Sequence, residues 1–473
     1  MQIKKDNMKK KICICLSSDY YLKYINFKAF ESLEKNFEVI YLINQRKFHN
    51  YKKIKNKKFF FYKTTRKNDT RVQRLYLIIR SRFRAASKTF DFVNEYFHPN
   101  FKNYCAKYRI DYSKLDIISK LKKILYYYLF INYKKRLIDL LSFGILFNIS
   151  YKYFSFFLKQ NNELKDLISK IKPNLLIYPS HLYESEVFSL LHSTLDKKTK
   201  TFYLVDNWDN LSTKTIMLEK PNHLAVWGEQ TRQHAIKLHG FKKKNVHLLG
   251  NPKFDYFKKI SHQKYKSYFK FSYVLFLGVR EETDELGPLS QLDKEIEKNK
   301  KLYKNLKIIY RPHPYNSKNY HSEFLKLSLK NVIFDLSSNF NFYKKNTRNK
   351  GNTGSDYYLS LIKNSSFVVG GITTVVMECL LLNKKYLVIS HQDQNNYLST
   401  RNLFRSFKHF DGVDRIKNIS ISKNKKDLTK LFRNIFLRKN KTIKTEKGLK
   451  YFYHFNNKKY SDNLLNISRK IIN

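Results

Sequence analysis

The sequence predicts an α/β protein made of two successive doubly wound domains that face a cleft, with a helical insertion in the first domain. Short apolar runs alternate with helical stretches near the start of the chain, again from about residue 162, and once more from residue 271. This strand–helix–strand rhythm is typical of open parallel sheets. The length of 473 residues also favours more than one domain.

The first domain is predicted to span residues 1–257. Its predicted strands are Lys11–Ser18, Phe37–Asn44, Phe59–Tyr62, Asn174–Tyr178, Thr201–Val205, His223–Trp227 and Val246–Leu249. Its predicted helices are Phe27–Asn36, Leu164–Ile171, Glu184–Leu195 and Gln230–His239. Residues from about 65 to 165 are rich in aromatic side chains and are predicted to form the helical insertion.

The second domain is predicted to span residues 271–425, after a polar connection at Lys258–Lys270. Its predicted strands are Tyr273–Gly278, Leu306–Arg311, Val332–Leu336, Phe367–Val369 and Tyr386–Ser390. Its predicted helices are Leu289–Lys301, Tyr357–Ile362 and Thr373–Asn383. The last sixty residues are predicted to be largely helical and basic, and residues 426–473 to form a separate group of C-terminal helices.

The formal charge of +55 suits nucleic acid or an anionic membrane surface as a partner. The excess of basic residues is nevertheless spread from Lys4 to Lys470, and Lys, Asn, Ile, Phe and Tyr are abundant together, which favours a compositional origin. The sequence shows no zinc-finger, RRM or KH signature. Nucleic acid is therefore not expected as a partner, while an anionic membrane surface stays open.

The sequence predicts a cytoplasmic protein. Its four cysteines are scattered and favour neither a disulfide framework nor a zinc site. The basic start of the chain lacks the long apolar segment of a secretory signal. The most apolar zone, Ile124–Leu158, is interrupted by charges and falls short of the ~20 apolar residues that a membrane span needs. It is either a buried insertion or a face that lies on the inner membrane surface.

A glycine pair separates a predicted strand from a predicted helix at Gly370-Gly371-Ile372-Thr373-Thr374. Glycines let a phosphate approach the backbone, and free N–H groups with two hydroxyls can bind it. We predict that Gly371, Thr373 and Thr374 bind a phosphorylated donor and that Glu378 accepts hydrogen bonds from ribose hydroxyls. The alternative is a tight turn with a threonine cap.

Two prolines frame a histidine in Tyr310-Arg311-Pro312-His313-Pro314 and fix the backbone direction at the end of a predicted strand. A guanidinium and an imidazole at a strand end suit a diphosphate, so Arg311 and His313 are predicted to bind the donor. The alternative is a rigid strand exit with a surface histidine. Gly278 and Arg280 follow a neighbouring strand and are predicted to join them.

Asp206, Trp208 and Asp209 follow a strand of the first domain. Carboxylates beside an indole suit a carbohydrate, so Trp208 is predicted to bind the acceptor, and Asp206 or Asp209 to act as general base. His181 is the rival base, and Glu184 is a further acceptor ligand. The alternative is a polar turn with Trp208 in the core.

No Asp-x-Asp pair or ligand cluster indicates a metal, and Walker A and GxGxxG motifs are missing from the sequence. No cofactor is therefore expected, and a nucleotide-activated donor would serve as substrate.

Taken in order, six segments resemble bacterial GT-B-type surface-carbohydrate transferases, a group that includes capsule and O-antigen glycosyltransferases and is related to teichoic-acid glycerophosphotransferases. The segments are DNWDNLSTK (Asp206–Lys214), VWGEQTRQHAIKLHG (Val226–Gly240), GNPKFD (Gly250–Asp255), FLGVREETDELGPL (Phe276–Leu289), YRPHP (Tyr310–Pro314) and GGITTVVMECLLLNKK (Gly370–Lys385). The resemblance covers about residues 175–390. It implies Rossmann-like domains, a metal-independent active site between them, donor phosphates on His313 and Thr373/Thr374, and a C-terminal helix that packs back on the first domain.

The resemblance predicts an enzyme that transfers a sugar from a nucleotide-sugar donor to a surface-glycan or lipid-linked acceptor. Phosphotransfer from a CDP-alcohol and epimerisation of a nucleotide sugar are alternatives on the same fold. A non-catalytic nucleic-acid-binding or scaffold protein is the alternative from a different class.

Overall fold

The protein is described from a computed structural model. The described residues are 9–50, 54–63, 72, 75–76, 78–79, 88–97, 99–108, 110–157, 161–180, 194, 199–214, 217, 219–261, 263–279, 283–313, 317–338, 353–392, 397–438 and 446–473. The chain divides into two compact units. Unit 1 comprises Met1–Pro99, Leu125–Tyr256 and Lys450–Asn473, and unit 2 comprises Asn100–Ile124 and Phe257–Leu449.

Unit 1 is built on a seven-stranded sheet of order β3-β2-β1-β4-β5-β6-β7, in which every described pairing is parallel. Its strands are β1 (Lys11–Leu16), β2 (Glu38–Asn44), β3 (Phe59–Tyr62), β4 (Leu175–Ser180), β5 (Lys200–Val205), β6 (His223–Val226) and β7 (Val246–Leu248). From β1 the chain adds strands towards one edge of the sheet, up to β3, and from β4 it adds them towards the other edge, so the order of strands reverses between β1 and β4. Such a switch point leaves a crevice at the carboxyl ends of the strands.

Both faces of this sheet are covered, which explains why its strands are continuous apolar runs. Ile12 and Ile14 of β1 belong to one buried cluster, whereas Cys13 and Cys15 belong to the other. The helices assigned to unit 1 are Leu22–Asn26, Glu31–Asn36, Lys88–Phe97, Tyr133–Leu141, Gly144–Phe157, Asn162–Ile171, Glu229–His239 and Tyr460–Ile472, with π turns at Tyr127–Asn132 and Asn210–Lys214.

Unit 2 is built on a six-stranded sheet of order β10-β9-β8-β11-β12-β13, and its described pairings are also parallel. Its strands are β8 (Tyr273–Leu277), β9 (Lys307–Arg311), β10 (Val332–Phe334), β11 (Val368–Gly370), β12 (Tyr386–Ile389) and β13 (Ile419–Ser422). Its helices are Phe101–Lys107, Leu286–Lys298, Lys300–Tyr303, Ser317–Leu325, Thr353–Asn364, Val375–Leu381, Thr400–Ser406, Lys425–Leu437 and Glu446–Leu449. Helices Ile117–Tyr126 and Pro252–Ile260 cross the boundaries between the units in sequence.

The two parallel, Rossmann-like sheets confirm the predicted fold class, and the structure also departs from the sequence-based expectations at several points. The end of the chain is not uniformly helical, because Ile419–Ser422 adds β13 to the edge of the second sheet. Helix Lys425–Leu437 belongs to unit 2, where Phe432 packs in the core of the sheet, and only Lys450–Asn473 joins unit 1. Within the predicted insertion, Asn100–Ile124 is grouped with unit 2. The predicted helix Glu184–Leu195 lies almost wholly outside the described residues.

The C-terminal helix Tyr460–Ile472 completes the core of unit 1. Its Leu464 is fully buried in the same cluster as Ile12 and Leu33. Ser32 donates a hydrogen bond to Asp462 in the first turn of that helix, over 2.6 Å. Among the described residues, no helix combines the length and apolar character needed to cross a bilayer.

Candidate functional site

The carboxyl ends of β8, β9 and β11 meet at one edge of the second sheet. Because β8 lies between β9 and β11 in the sheet, the loop after β8 is flanked by the loops after the other two strands. We call this place the glycine edge and define it as Gly278–Val279, Pro312–His313 and Gly370–Thr374. It brings together three of the segments that the sequence singled out.

The three loops of the glycine edge touch one another closely. A Cβ atom added at Gly278 would lie 2.9 Å from the backbone nitrogen of His313, and one added at Gly371 would lie 2.4 Å from Cγ1 of Val279. A side chain at either position would therefore push the neighbouring loop away. Glycine at both positions allows the loops to meet at van der Waals distance.

Buried polar side chains hold these loops in place. Glu285 accepts a hydrogen bond from the backbone N–H of Val279 over 2.7 Å and another from the Tyr310 hydroxyl over 2.6 Å. The Tyr386 hydroxyl donates to the carbonyl of Gly371 over 2.8 Å. The edge is therefore rigidly supported from below, which is the condition for a preformed binding site. Sequence reasoning missed the roles of both tyrosines, since each lies inside an apolar strand and reads as core.

The segment of the glycine edge that follows β11 has backbone N–H groups that could bind a ligand. Within the described part of the chain, no group accepts a hydrogen bond from the backbone N–H of Ile372, Thr373 or Thr374. Thr373 and Thr374 are half-buried, as is His313. Successive unpaired N–H groups beside hydroxyls form a concave donor surface that suits an anion such as a phosphate. This arrangement agrees with what the sequence led us to expect, although the predicted role of these residues stays a prediction.

The environment of Arg311 differs from the one expected of a residue that binds the donor substrate. The residue is buried, its guanidinium forms an ion pair with Asp335, and it donates to the Ser337 hydroxyl over 2.8 Å. The guanidinium carbon also lies 5.6 Å from the ring centre of Tyr358. Since Asp335 already neutralises its charge, Arg311 anchors β9 to the segment after β10 rather than presenting a free cation.

Glu378 is also buried and accepts a hydrogen bond from the Tyr358 hydroxyl over 2.9 Å. Burial, together with the neighbouring carboxylate of Glu378, raises the pKa of Tyr358 well above its usual value, so this tyrosine remains a donor. The predicted contact of Glu378 with ribose hydroxyls stays a prediction. Arg280 lies outside the described residues.

The carboxyl edge of the first sheet is organised around Asp206. Its carboxylate is fully buried and pairs with the Lys23 ammonium, with its two oxygens at 2.7 and 2.8 Å from Nζ. Burial and the proximity of Asp206 raise the pKa values of Tyr20 and Tyr24. A carboxylate held in this way and shielded from solvent is an anchor, which argues against Asp206 as an accessible general base.

Trp208 and Asp209 were predicted on the same turn as Asp206. Trp208 is 1% exposed and donates its indole N–H to Gln230 over 2.7 Å, so its ring packs in the core and does not present a face to a sugar. Asp209 is half-buried and accepts from the Thr213 hydroxyl over 2.9 Å. Asp209 is therefore the more accessible of the two aspartates. His181 and Glu184 lie outside the described residues.

Comparison with solved structures shows that this architecture is known. A UDP-GlcNAc 2-epimerase from Methanocaldococcus jannaschii is similar with a TM-score of 0.51 at 12% identity, over 97% of this chain and 99% of that one. A protein from Listeria monocytogenes assigned as a UDP-N-acetylglucosamine 2-epimerase is similar with a TM-score of 0.54 at 11% identity, over 98% of this chain and 96% of that one. At these identities the likeness concerns the fold, which is of the GT-B type.

A structure of the wall teichoic acid polymerase TagF is similar with a TM-score of 0.46 at 11% identity, over 98% of this chain and 88% of that one. That superposition is too loose to carry an argument. No protein-family model and no curated protein sequence matches the chain.

Proposed function

We propose that the protein is a glycosyltransferase that moves a sugar from a nucleotide-sugar donor to a surface-glycan or lipid-linked acceptor, with the donor diphosphate bound at the glycine edge. The observation that supports this most directly is the row of backbone N–H groups at Ile372, Thr373 and Thr374, for which the described residues provide no acceptor. Glycines at positions 278 and 371 allow the three loops of this edge to pack against one another. His313 follows β9, which lies two strands from β11, at the same edge of the sheet.

The chemistry follows from the charge that develops during transfer. When the bond between the sugar and the diphosphate breaks, negative charge builds up on the departing phosphate. Backbone N–H groups and threonine hydroxyls stabilise that charge without reorganising, because the surrounding hydrogen bonds already fix them. His313, in its protonated form, would add a charge-assisted hydrogen bond. Asp209 or His181 would remove the proton of the acceptor hydroxyl.

An epimerase acting on a nucleotide sugar is the second candidate function. The GT-B-type fold serves that activity in the Methanocaldococcus protein, whose name states it. The diphosphate would occupy the same edge in both reactions. The two functions differ in their products, since balanced epimerisation releases no net nucleoside diphosphate.

The test is to incubate the purified full chain with UDP-GlcNAc, UDP-glucose, GDP-mannose, dTDP-rhamnose and CDP-glycerol, and to identify the products by mass spectrometry. The proposal predicts nucleoside diphosphate release from at least one of the nucleotide sugars, with water taking the place of the acceptor so that the sugar is released in free form. A changed sugar with no released nucleotide would establish the epimerase instead, and CMP from CDP-glycerol would establish phosphotransfer.

His313→Ala is expected to lower the rate of nucleotide release at least about 100-fold, the usual cost of losing one donor to a developing oxyanion. His49→Ala serves as the matched control, because His49 is an exposed histidine on the first sheet's unit. Full activity in His313→Ala would remove His313 from the donor site and refute its assigned role.

A further inference from the structure

Unit 1 carries a cluster of exposed apolar side chains that the proposed catalytic function does not use. Of the 28 large hydrophobic residues that are exposed in the described structure, 13 fall within residues 125–153, so the exposure is concentrated in one short stretch. Phe143 is 67% exposed, Ile145 76% and Tyr133 65%. An apolar cluster of this kind on a folded surface usually marks a binding face.

These side chains belong to ordered helices whose opposite side is anchored in unit 1. Ile138 of helix Tyr133–Leu141 and Phe147 of helix Gly144–Phe157 are buried together with Ile79. In the π turn Tyr127–Asn132, the Tyr127 hydroxyl donates to the carbonyl of Pro99 over 3.1 Å. We call the outward side the aromatic helical face and define it as the exposed apolar residues from Leu125 to Tyr153. Both helices are packed against unit 1 through their other side, and the aromatic helical face remains exposed although they are packed.

The residues beside this face carry mostly positive charge. Lys134, Arg136 and Lys152 are exposed, whereas Asp139 is the single acidic residue between positions 125 and 157 and is half-buried. A further cation, Lys135, pairs with Glu95 at 3.4 Å. Helices that lie in the interface of a bilayer have the same composition, with tyrosine, phenylalanine and leucine flanked by lysine and arginine.

Charge decides between the occupants that such a face could take. A second copy of this chain would bring two strongly basic molecules together, each with a formal charge of +55. An anionic lipid surface would instead attract the cations and admit the aromatic and aliphatic side chains among its headgroups. We propose that the aromatic helical face docks on the surface of an anionic lipid bilayer.

Vesicle sedimentation with the full chain tests this proposal. We expect the protein to sediment with vesicles of equimolar phosphatidylglycerol and phosphatidylcholine, and to bind vesicles of phosphatidylcholine alone at least about 10-fold less tightly. The double variant Phe143→Ser/Ile145→Ser keeps the charge and removes two apolar contacts, so binding to the anionic vesicles should fall at least about 10-fold. Lys134→Gln/Arg136→Gln should weaken binding at low salt by about fivefold per charge.

The matched control is Leu325→Ser/Leu437→Ser. These two leucines of unit 2 are 64% and 61% exposed, so the control removes similar exposed apolar groups elsewhere. Its vesicle binding should equal that of the wild type. Circular dichroism and the melting temperature of each variant show whether it is folded.

Three results would overturn the proposal. Equal binding by Phe143→Ser/Ile145→Ser and the wild type would mean that the overall charge, and not this face, binds the lipid. Equal binding to both kinds of vesicle would remove the anionic requirement. A wild-type dimer that becomes a monomer in Phe143→Ser/Ile145→Ser would make the face an interface between copies of this chain.

Discussion

The two sheets present opposite kinds of carboxyl edge. At the edge of the first sheet, a buried carboxylate, Asp206, is paired with Lys23, and the indole of Trp208 is bonded to Gln230. At the edge of the second sheet, Gly278 and Gly371 let neighbouring loops pack closely, and no group among the described residues accepts from the N–H groups of Ile372, Thr373 and Thr374. At the first edge the polar side chains bond to one another, whereas at the second edge backbone N–H groups are available to a ligand.

Similar sequence signals at equivalent strand ends can therefore have different uses. At each edge the polar residues follow an apolar strand. They lie beside an aromatic residue at the first edge and beside a proline at the second. A polar side chain that finds a partner within the fold contributes to stability. A backbone group that is left without one, on a rigidly supported loop, is available for binding.

The largest effect is expected from Asp206→Ala at the first edge. The substitution leaves the Lys23 ammonium, whose side chain is 25% exposed, without its partner. Breaking a buried pair in this way typically costs about 3–5 kcal/mol of unfolding free energy. Urea denaturation would measure it, with Glu31→Ala as control, since the exposed pair of Glu31 and Lys35 contributes no more than about 0.5 kcal/mol. Unchanged stability together with lost activity would show that Asp206 is a base and not an anchor.

A somewhat smaller effect is expected from Gly370→Ala at the second edge. The added Cβ would lie 2.2 Å from the backbone oxygen of Leu277, so β11 and β8 would have to separate. Overpacking of this kind is expected to cost about 3 kcal/mol. Gly448→Ala is the matched control, because its Cβ would meet nothing nearer than 3.5 Å. Equal melting temperatures for the two variants would contradict the close approach of β11 to β8.

A pH-dependent effect is expected from His239, which supports the turn after Asp206. Burial lowers the pKa of His239 from 6.5 to about 4. Its Nε2–H donates to the carbonyl of Leu211 over 2.8 Å and its Nδ1 accepts from the N–H of Met217 over 3.4 Å, so the folded state holds the neutral ring. Between pH 6.5 and 4 the unfolded chain binds the extra proton, and stability falls as the pH falls.

His239→Gln should therefore make the unfolding free energy less dependent on pH in that window, by up to about 1.4 kcal/mol per pH unit. Denaturation curves at pH 4.5, 5.5, 6.5 and 7.5 (about one unit apart) would measure the slope. The exposed His49 provides the control, and His49→Ala should retain the wild-type slope. An unaltered slope in His239→Gln would show that the buried ring does not carry the pH dependence.

The sequence predicted the fold well where the strands are buried on both faces. Lys11–Leu16 and Tyr273–Leu277 are continuous apolar runs, and such runs in a strand–helix rhythm indicate a parallel sheet. The strand Ile419–Ser422 was missed because it lies at a sheet edge and alternates isoleucine with serine. That period of two was the available signal, and the basic helical surroundings obscured it.

The site was predicted only in part, because the decisive partners are distant in sequence. The glycine pair and the proline-framed histidine are local patterns, and the sheet topology brings both to one edge. The pairing of Asp206 with Lys23, by contrast, joins residues 183 positions apart. No local pattern reveals such a partner, so a paired carboxylate and a free one look the same in the sequence.

Calorimetric titration of the full chain with UDP, CDP, GDP, dTDP and ADP shows whether the glycine edge binds a donor diphosphate. If the glycine edge binds the diphosphate of a donor, at least one of these nucleotides should bind, and His313→Ala should weaken that binding at least about 10-fold while His49→Ala leaves it unchanged. Failure of all five nucleotides to bind, or equal affinity in His313→Ala and the wild type, would mean that the glycine edge and His313 do not bind a donor diphosphate.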